Sequence, residues 1–232
     1  MRGILFDMDG VLLDAMPFHA DAFQKAFKKL TDIDIDKKDI YILEGMPGPD
    51  LIKKVLKKYG IRYSDEKIIK EISELKKDLF NKNEDAKAFE GVKEMLRSLE
   101  KNGCIKAVVS GASENEVKSL LEKNQLLDYF DLIISGEDIE DGKPSAEPFI
   151  MALNKVNLSA GDALVVENSP LGVNSAVKAG IKYIVTLNNT PLILDDFQNL
   201  PQNERDREKV VFKDTKSASD HLYKWCSGNI SS

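Results

Sequence analysis

Met1-Arg2-Gly3-Ile4-Leu5-Phe6-Asp7-Met8-Asp9-Gly10-Val11-Leu12-Leu13-Asp14 is the stretch from which the fold can be read. Ile4, Leu5 and Phe6 form a short apolar run, which reads as a buried strand. Two carboxylates, Asp7 and Asp9, follow at once, and Gly10 lets the backbone turn sharply. In an extended chain residues two apart point to the same side, so Asp7 and Asp9 can face one site. An unpaired buried carboxylate costs several kcal/mol, on the order of the penalty for any buried ion, so a counter-charge is expected, most simply a metal ion. One acid could attack a phosphorus atom while the other moves a proton. A calcium loop that begins Asp-x-Asp needs a third Asp or Asn at position 11 and Gly at position 12; Val11 and Leu12 exclude it.

The 232 residues suffice for a large core. No apolar run reaches membrane-spanning length, and the chain starts directly on a strand, so neither a leader nor a membrane partner is expected. The formal charge is -6, with no basic stripe of the kind nucleic acid requires. Cys104 and Cys226 have neither zinc spacing nor a disulfide framework. They read as free thiols of a reducing compartment, hence a cytoplasmic protein. The sequence leaves the oligomeric state open, with a monomer favoured over an assembly.

Helices are predicted from Pro17 to Leu30, from about Asp36, from Leu51 to Tyr59 with Asp50 as cap, and after Ser64 as a further cap. Residues 15–88 therefore read as an all-helical insert, slightly basic within an acidic chain through Lys53, Lys54, Lys57 and Lys58. His19, near the start of the first helix, reads as a packing or hydrogen-bonding residue. From Phe89 the pattern alternates. Helix from Gly91 to Lys101, strand Ile105 to Val109, helix from Glu114, strand Leu132 to Ile134, helix from Glu147, strand Ala163 to Val166, helix after Ser169-Pro170 and strand Ile181 to Thr186 follow in turn. Val210 to Phe212 reads as an edge strand, Ala218 to Trp225 as a closing helix and 227–232 as a frayed tail.

Strands alternating with helices mean an α/β fold with a parallel sheet covered on both faces, and ligands of such folds bind beyond the carboxyl ends of the strands. Asp7 and Asp9 after the first strand, Ser110 after the second, Glu167 and Asn168 after the fourth all fall at that end, and Lys143 follows the third by a longer loop.

Together, Phe6-Asp7-Met8-Asp9-Gly10-Val11, the strand ending in Ser110, Gly142-Lys143-Pro144 and Val166-Glu167-Asn168-Ser169-Pro170-Leu171-Gly172 resemble the haloacid dehalogenase-like superfamily in its phosphatase and phosphomutase branch. The resemblance covers nearly the whole chain. It implies a Rossmann-like core over 1–14 and 89–232 with a helical cap over 15–88, and a small phosphorylated metabolite as substrate. It also implies Asp7 as nucleophile, Asp9 as acid and base, Lys143 as neutralising cation and Ser110 as a donor to the phosphoryl oxygens, with Ser113 as its rival. Gly111, Gly45 and Met46 would line the substrate, and Mg2+ would sit on Asp7, the Asp9 carbonyl, Glu167 and Asn168. Two departures matter. Asn168 stands where a second acid is common. The loop Glu44-Gly45-Met46-Pro47-Gly48 lacks the Lys and Arg with which a beta-phosphoglucomutase holds a second phosphate, so hydrolysis is expected over isomerisation unless Lys53, Lys54, Lys76 or Lys77 substitutes. A non-catalytic phosphate-binding protein on the same fold is the competing class.

Overall fold

Six strands lie side by side in the order β3-β2-β1-β4-β5-β6, and every neighbouring pair is parallel. They are β1 (Gly3–Phe6), β2 (Ile105–Val109), β3 (Leu132–Ile134), β4 (Ala163–Glu167), β5 (Lys182–Thr186) and β6 (Val211–Phe212). The structure is a computed structural model that describes residues 1–62 and 66–229, with residue 83 described by its backbone alone.

The apolar run of β1 sits at the centre of the sheet, and Ile4, Leu5 and Phe6 have no exposed surface. Successive side chains reach opposite layers. Ile4 and Phe6 join Val108, Leu164 and Val166 under α5 (Val92–Lys101), α6 (Glu114–Lys123) and α10 (Thr215–Cys226). Leu5 joins Ala107, Val109 and Val165 under α7 (Glu147–Val156) and α8 (Pro170–Lys178). A strand covered on both faces must be apolar at every position, which explains the unbroken run. α9 (Glu204–Val210) precedes β6 at the sheet edge.

Among the described residues, the segment between β1 and α5 contains helices and no strand: α1 (Met16–Thr31), α2 (Lys37–Ile42), α3 (Gly48–Lys58) and α4 (Lys67–Asn83). Phe23, Ala26 and Phe27 of α1 pack with Ile52, Val55 and Leu56 of α3 and with Ile69 and Ile72 of α4. The two ends of the insert meet at a bridge between Leu13 and Ala88, so it leaves and rejoins the sheet at one place.

Local differences from the sequence reading have identifiable causes. α3 starts at Gly48 after Pro47, three residues early, because Pro49 is tolerated inside a first turn whose N–H groups are unpaired anyway. Asp50 therefore lies within that turn and caps nothing. The predicted cap Ser64 lies outside the described residues, as does the end of the predicted tail. Gly91 precedes α5 with a φ of 84° and is not part of it.

The largest correction concerns the thiols. Cys104, just before β2, and Cys226, the last residue of α10, are joined by a disulfide with Cα atoms 5.7 Å apart. Their separation of 122 residues conceals a proximity created when α10 packs beside α5 on one face of the sheet. The thiol argument for a reducing compartment falls with it. Among the described residues no helix is long and apolar enough to cross a membrane.

Candidate active site

The strand order reverses direction on either side of β1, and in open parallel sheets the crevice at such a point is where ligands bind. Asp7 is the first residue past β1. Its N–H still donates to the Val166 carbonyl at 3.0 Å, so the sheet ladder fixes where its side chain leaves the backbone. Gly10 then takes a φ of 89°, and a Cβ there would collide with the Asn168 amide. Both the turn and the close approach require glycine.

Lys143 is buried beneath this turn. Its Nζ donates to Asp7 Oδ1 at 2.5 Å, Glu167 Oε1 at 2.6 Å and the Val109 carbonyl at 3.0 Å, which uses all three of its protons. Burial works against the charged lysine, yet the Asp7 and Glu167 carboxylates outweigh it and hold the ammonium above its ordinary range. Glu167, the last residue of β4, has no exposed surface. Its Oε2 accepts from the N–H groups of Asn168 and Ser169 and from Ser169 Oγ, at 2.9, 3.1 and 3.0 Å. Ser169 Oγ also accepts from the Gly172 N–H at 3.1 Å, which caps α8 as the sequence suggested.

Asp7, Asp9, Ser110 and Gly111 of the sheet end and Gly45 and Met46 of the insert line one cavity of about 260 Å³. Lys143 links Asp7 to Glu167, whose Oε2 accepts from the Asn168 N–H. Ser110 Oγ accepts from the Ala112 N–H at 3.2 Å and its residue is buried, while Ser113 Oγ is committed to the Glu116 N–H at 3.4 Å as the cap of α6. Both serines line the cavity, and each hydroxyl keeps a proton to donate. Of the lysines proposed for a second anion, Lys76 and Lys77 line the cavity, whereas Lys53 pairs with Glu66 at 3.2 Å and Lys54 is exposed. Burial holds Lys76 below the ordinary lysine range.

The fold brings further residues here, His19 in the packing role read from its sequence and the others with no role foreseen. His19 stacks on Phe80 with ring centroids 4.0 Å apart and places Nε2 3.5 Å from Asp9 Oδ2, so it both packs and faces the second acid. Glu116 approaches the same imidazole at 3.8 Å. Glu44, from the α2–α3 loop, is buried and accepts from Asn168 Nδ2 at 2.9 Å. Burial, with Asp7, Glu167 and Asp9 adding to it, pushes its carboxyl well above the usual range. Asn188 and Thr215 hold the turn from below: Asn188 Nδ2 donates to the Gly10 carbonyl at 2.7 Å, and Thr215 Oγ1 to the Val11 carbonyl at 2.7 Å. No local signal marks them, since a Thr at a helix start and an Asn in a polar loop are ordinary.

Asp7 and Glu167 share the fully used Lys143 ammonium, and the charges of Asp7, Glu167 and Asp9 all act on the buried Glu44 carboxyl. Asp7 Oδ2, Asp9 Oδ1, Glu44 Oε1 and Asn168 Oδ1 are all buried without a hydrogen-bond donor. Orphaned buried oxygens in negative surroundings suit a hard cation, which takes carboxylate, amide and backbone oxygens as ligands. Among the described residues no three His, Cys, Asp or Glu side chains form a ready-made cage. A cation would therefore need the mixed set of Asp7, the Asp9 carbonyl and the Asn168 amide. Glu167, the remaining expected ligand, bonds Lys143 through Oε1 and the start of α8 through Oε2.

Comparison with known proteins agrees with this layout. Residues 4–186 match the family described as haloacid dehalogenase-like hydrolase. The chain is 31% identical over 191 residues to a phosphoglycolate phosphatase of Aquifex aeolicus, covering 81% of this chain and 85% of that protein. It is 28% identical over 187 residues to a phosphorylated carbohydrates phosphatase of Thermotoga maritima, covering 79% and 84%. A candidate beta-phosphoglucomutase from Bacteroides vulgatus superimposes with a TM-score of 0.80 at 29% identity, over 97% of this chain and 90% of that one. With the motifs, the sheet order and the match across most of its length in agreement, the chain belongs to the haloacid dehalogenase-like hydrolases.

Proposed function

We propose that this hydrolase is a Mg2+-dependent phosphatase of a small phosphorylated metabolite, a sugar phosphate or a phosphoglycolate-like ester, acting through an aspartyl-phosphate on Asp7. The observation that carries the reading is the pairing of Asp7 and Asp9 in one cavity with Lys143 bonded to Asp7 from behind. Residues 15–88 act as the cap over that cavity.

An oxygen of Asp7 attacks phosphorus, the ester P–O bond breaks, and Asp9 gives its proton to the leaving oxygen. Asp9, now a carboxylate, takes a proton from water as that water attacks the aspartyl-phosphate. Phosphate leaves and Asp7 is regenerated. Ser110 donates to the phosphoryl oxygens, and Lys143 offsets the charge on Asp7. Mg2+, held by Asp7, the Asp9 carbonyl and Asn168, would neutralise phosphoryl charge, with Glu167 supporting the site from behind Lys143. Catalysis of this kind is mostly positioning and electrostatics, which an acidic chain can supply locally.

The test is phosphate release with Mg2+ from a panel of sugar phosphates, phosphoglycolate and an aryl phosphate. Steady release that vanishes in Asp7→Asn, with the circular dichroism spectrum unchanged, supports the reading. Release that survives Asp7→Asn or excess chelator sinks it. A second reading is a phosphosugar mutase, favoured by Lys76 and Lys77 in the cavity and by the fold of the Bacteroides neighbour. Conversion of beta-glucose 1-phosphate to glucose 6-phosphate without net phosphate release would select it. A pure phosphate-ligand binder would show neither reaction.

A further inference from the structure

Glu44 belongs to the helical insert, yet its side chain ends in the core. The loop that carries it is seated closely: Gly45 takes a φ of 85°, and a Cβ there would lie 2.7 Å from Lys143 Cδ. A Cβ on Gly142 would meet the Pro47 ring at 2.7 Å, and one on Gly111 would meet the Gly45 carbonyl at 3.3 Å. Small residues on both sides let the two backbones close up and push Glu44 inward. There it adds a fourth carboxylate to a site whose Lys143 ammonium is fully used by Asp7, Glu167 and Val109. Like charges so placed repel, and the repulsion is relieved when a carboxyl holds a proton or when a cation enters.

The hydrogen bond to Asn168 explains where that charge belongs. By accepting from Nδ2, Glu44 dictates which end of the amide is nitrogen and leaves Oδ1 as an acceptor without a donor. Glu44 Oε1 is itself a buried acceptor without a donor, as is Asp7 Oδ2. An amide at 168 offers an oxygen but no charge, and Glu44 brings a charge to the same place from the other side of the cavity.

We propose that Glu44 is the anionic partner of the divalent cation on the cap side. It orients the Asn168 oxygen, supplies the negative charge that Asn168 lacks, and makes cation binding the tie that seats the cap loop on the core. This rests on the cation site of the proposed function, and its test needs no turnover.

The full chain is titrated with Mn2+ in the absence of substrate, and free Mn2+ is read by electron paramagnetic resonance. Glu44→Gln, which keeps shape and removes charge, is expected to weaken Mn2+ binding about tenfold, the scale for an outer partner of a metal site. Glu44→Gln combined with Asn168→Asp, which returns the charge from the core side, is expected to regain most of it. Mn2+ should also slow amide exchange over 44–48 in the wild type and in neither variant lacking Glu44. Should Glu44→Gln unfold, Asn168→Asp alone provides the test: with Glu44 still facing the cation it is expected to keep both Mn2+ binding and the exchange protection over 44–48, and loss of the protection with Mn2+ bound overturns the inference. Equal Mn2+ affinity in wild type and Glu44→Gln overturns the inference while leaving the phosphatase reading intact. A loss that Asn168→Asp does not restore also overturns it, since Glu44 would then not be supplying the charge that Asn168 lacks. Absence of Mn2+ binding in the wild type overturns both.

Discussion

Lys143 holds two buried carboxylates at once. It is the only ammonium bonded to the Asp7–Glu167 pair among the described residues, and all its protons are used there. Lys143→Met would leave two buried carboxylates without a counter-charge, at a cost of about 3–5 kcal/mol, read as a lower urea midpoint at neutral pH. Removing a charge partner is far more damaging than removing a surface pair, so a midpoint within error of wild type would refute the structural half of the argument. Thr215 is the quieter case. It donates from a fully buried hydroxyl to the Val11 carbonyl and so holds the turn that aims Asp7 and Asp9. Thr215→Val keeps the shape and leaves that carbonyl unpaired, a loss of about 1–3 kcal/mol with a parallel fall in kcat. Stability that drops with kcat unchanged would mean that the turn does not depend on this bond for its aim.

At the level of the element, the closing helix is held at its start by a reciprocal cap. Asp214 Oδ1 accepts from the Ser217 N–H at 2.7 Å, and the Asp214 N–H donates to Ser217 Oγ at 3.2 Å. Asp214→Ala should cost about 1 kcal/mol, seen in the thermal midpoint. The backbone N–H of Ser217 holds the Asp214 carboxyl below the usual range. A carboxyl depressed by folding contributes stability above its unfolded pKa, and that contribution fades as pH falls through the folded value. Wild type should therefore lose stability on acidification towards pH ~3 more steeply than Asp214→Asn, which caps without titrating. Parallel curves for the two proteins would rule the effect out.

The molecule as a whole is stapled where the insert is absent. The disulfide between Cys104 and Cys226 ties the start of β2 to the end of α10, on the opposite end of β2 from Ser110. A bridge closing so long a loop stabilises chiefly by restricting the unfolded chain, so the double Cys→Ser variant should lose about 2–4 kcal/mol while its kcat stays near wild type. The direct check is a thiol titration of unfolded, unreduced protein: no thiol should react, and two reacting thiols would disprove the bridge. The cavity lies at the other end of the sheet, between core loops and helical insert. Residues of both line it.

Much of this was written in the order of residues. The apolar run of β1, the alternation after Phe89 and the placing of Asp7, Asp9, Ser110, Glu167 and Asn168 at strand ends are local patterns. Burial on both faces and the parallel ladder translate them directly into a sheet with one working edge. Lys143 could be singled out from its motif, but its burial between two carboxylates could not, because a lysine in a Gly-Lys-Pro turn is just as well suited to solvent. The Cys104–Cys226 bridge, the grip of Asn188 and Thr215 on the first turn, His19 beside Asp9 and the reach of Glu44 to Asn168 were decided only by the tertiary structure. Sequence periodicity reports which face of an element is buried. It carries no information about which distant element covers that face, and these contacts all join segments that only the packed sheet and its insert bring together.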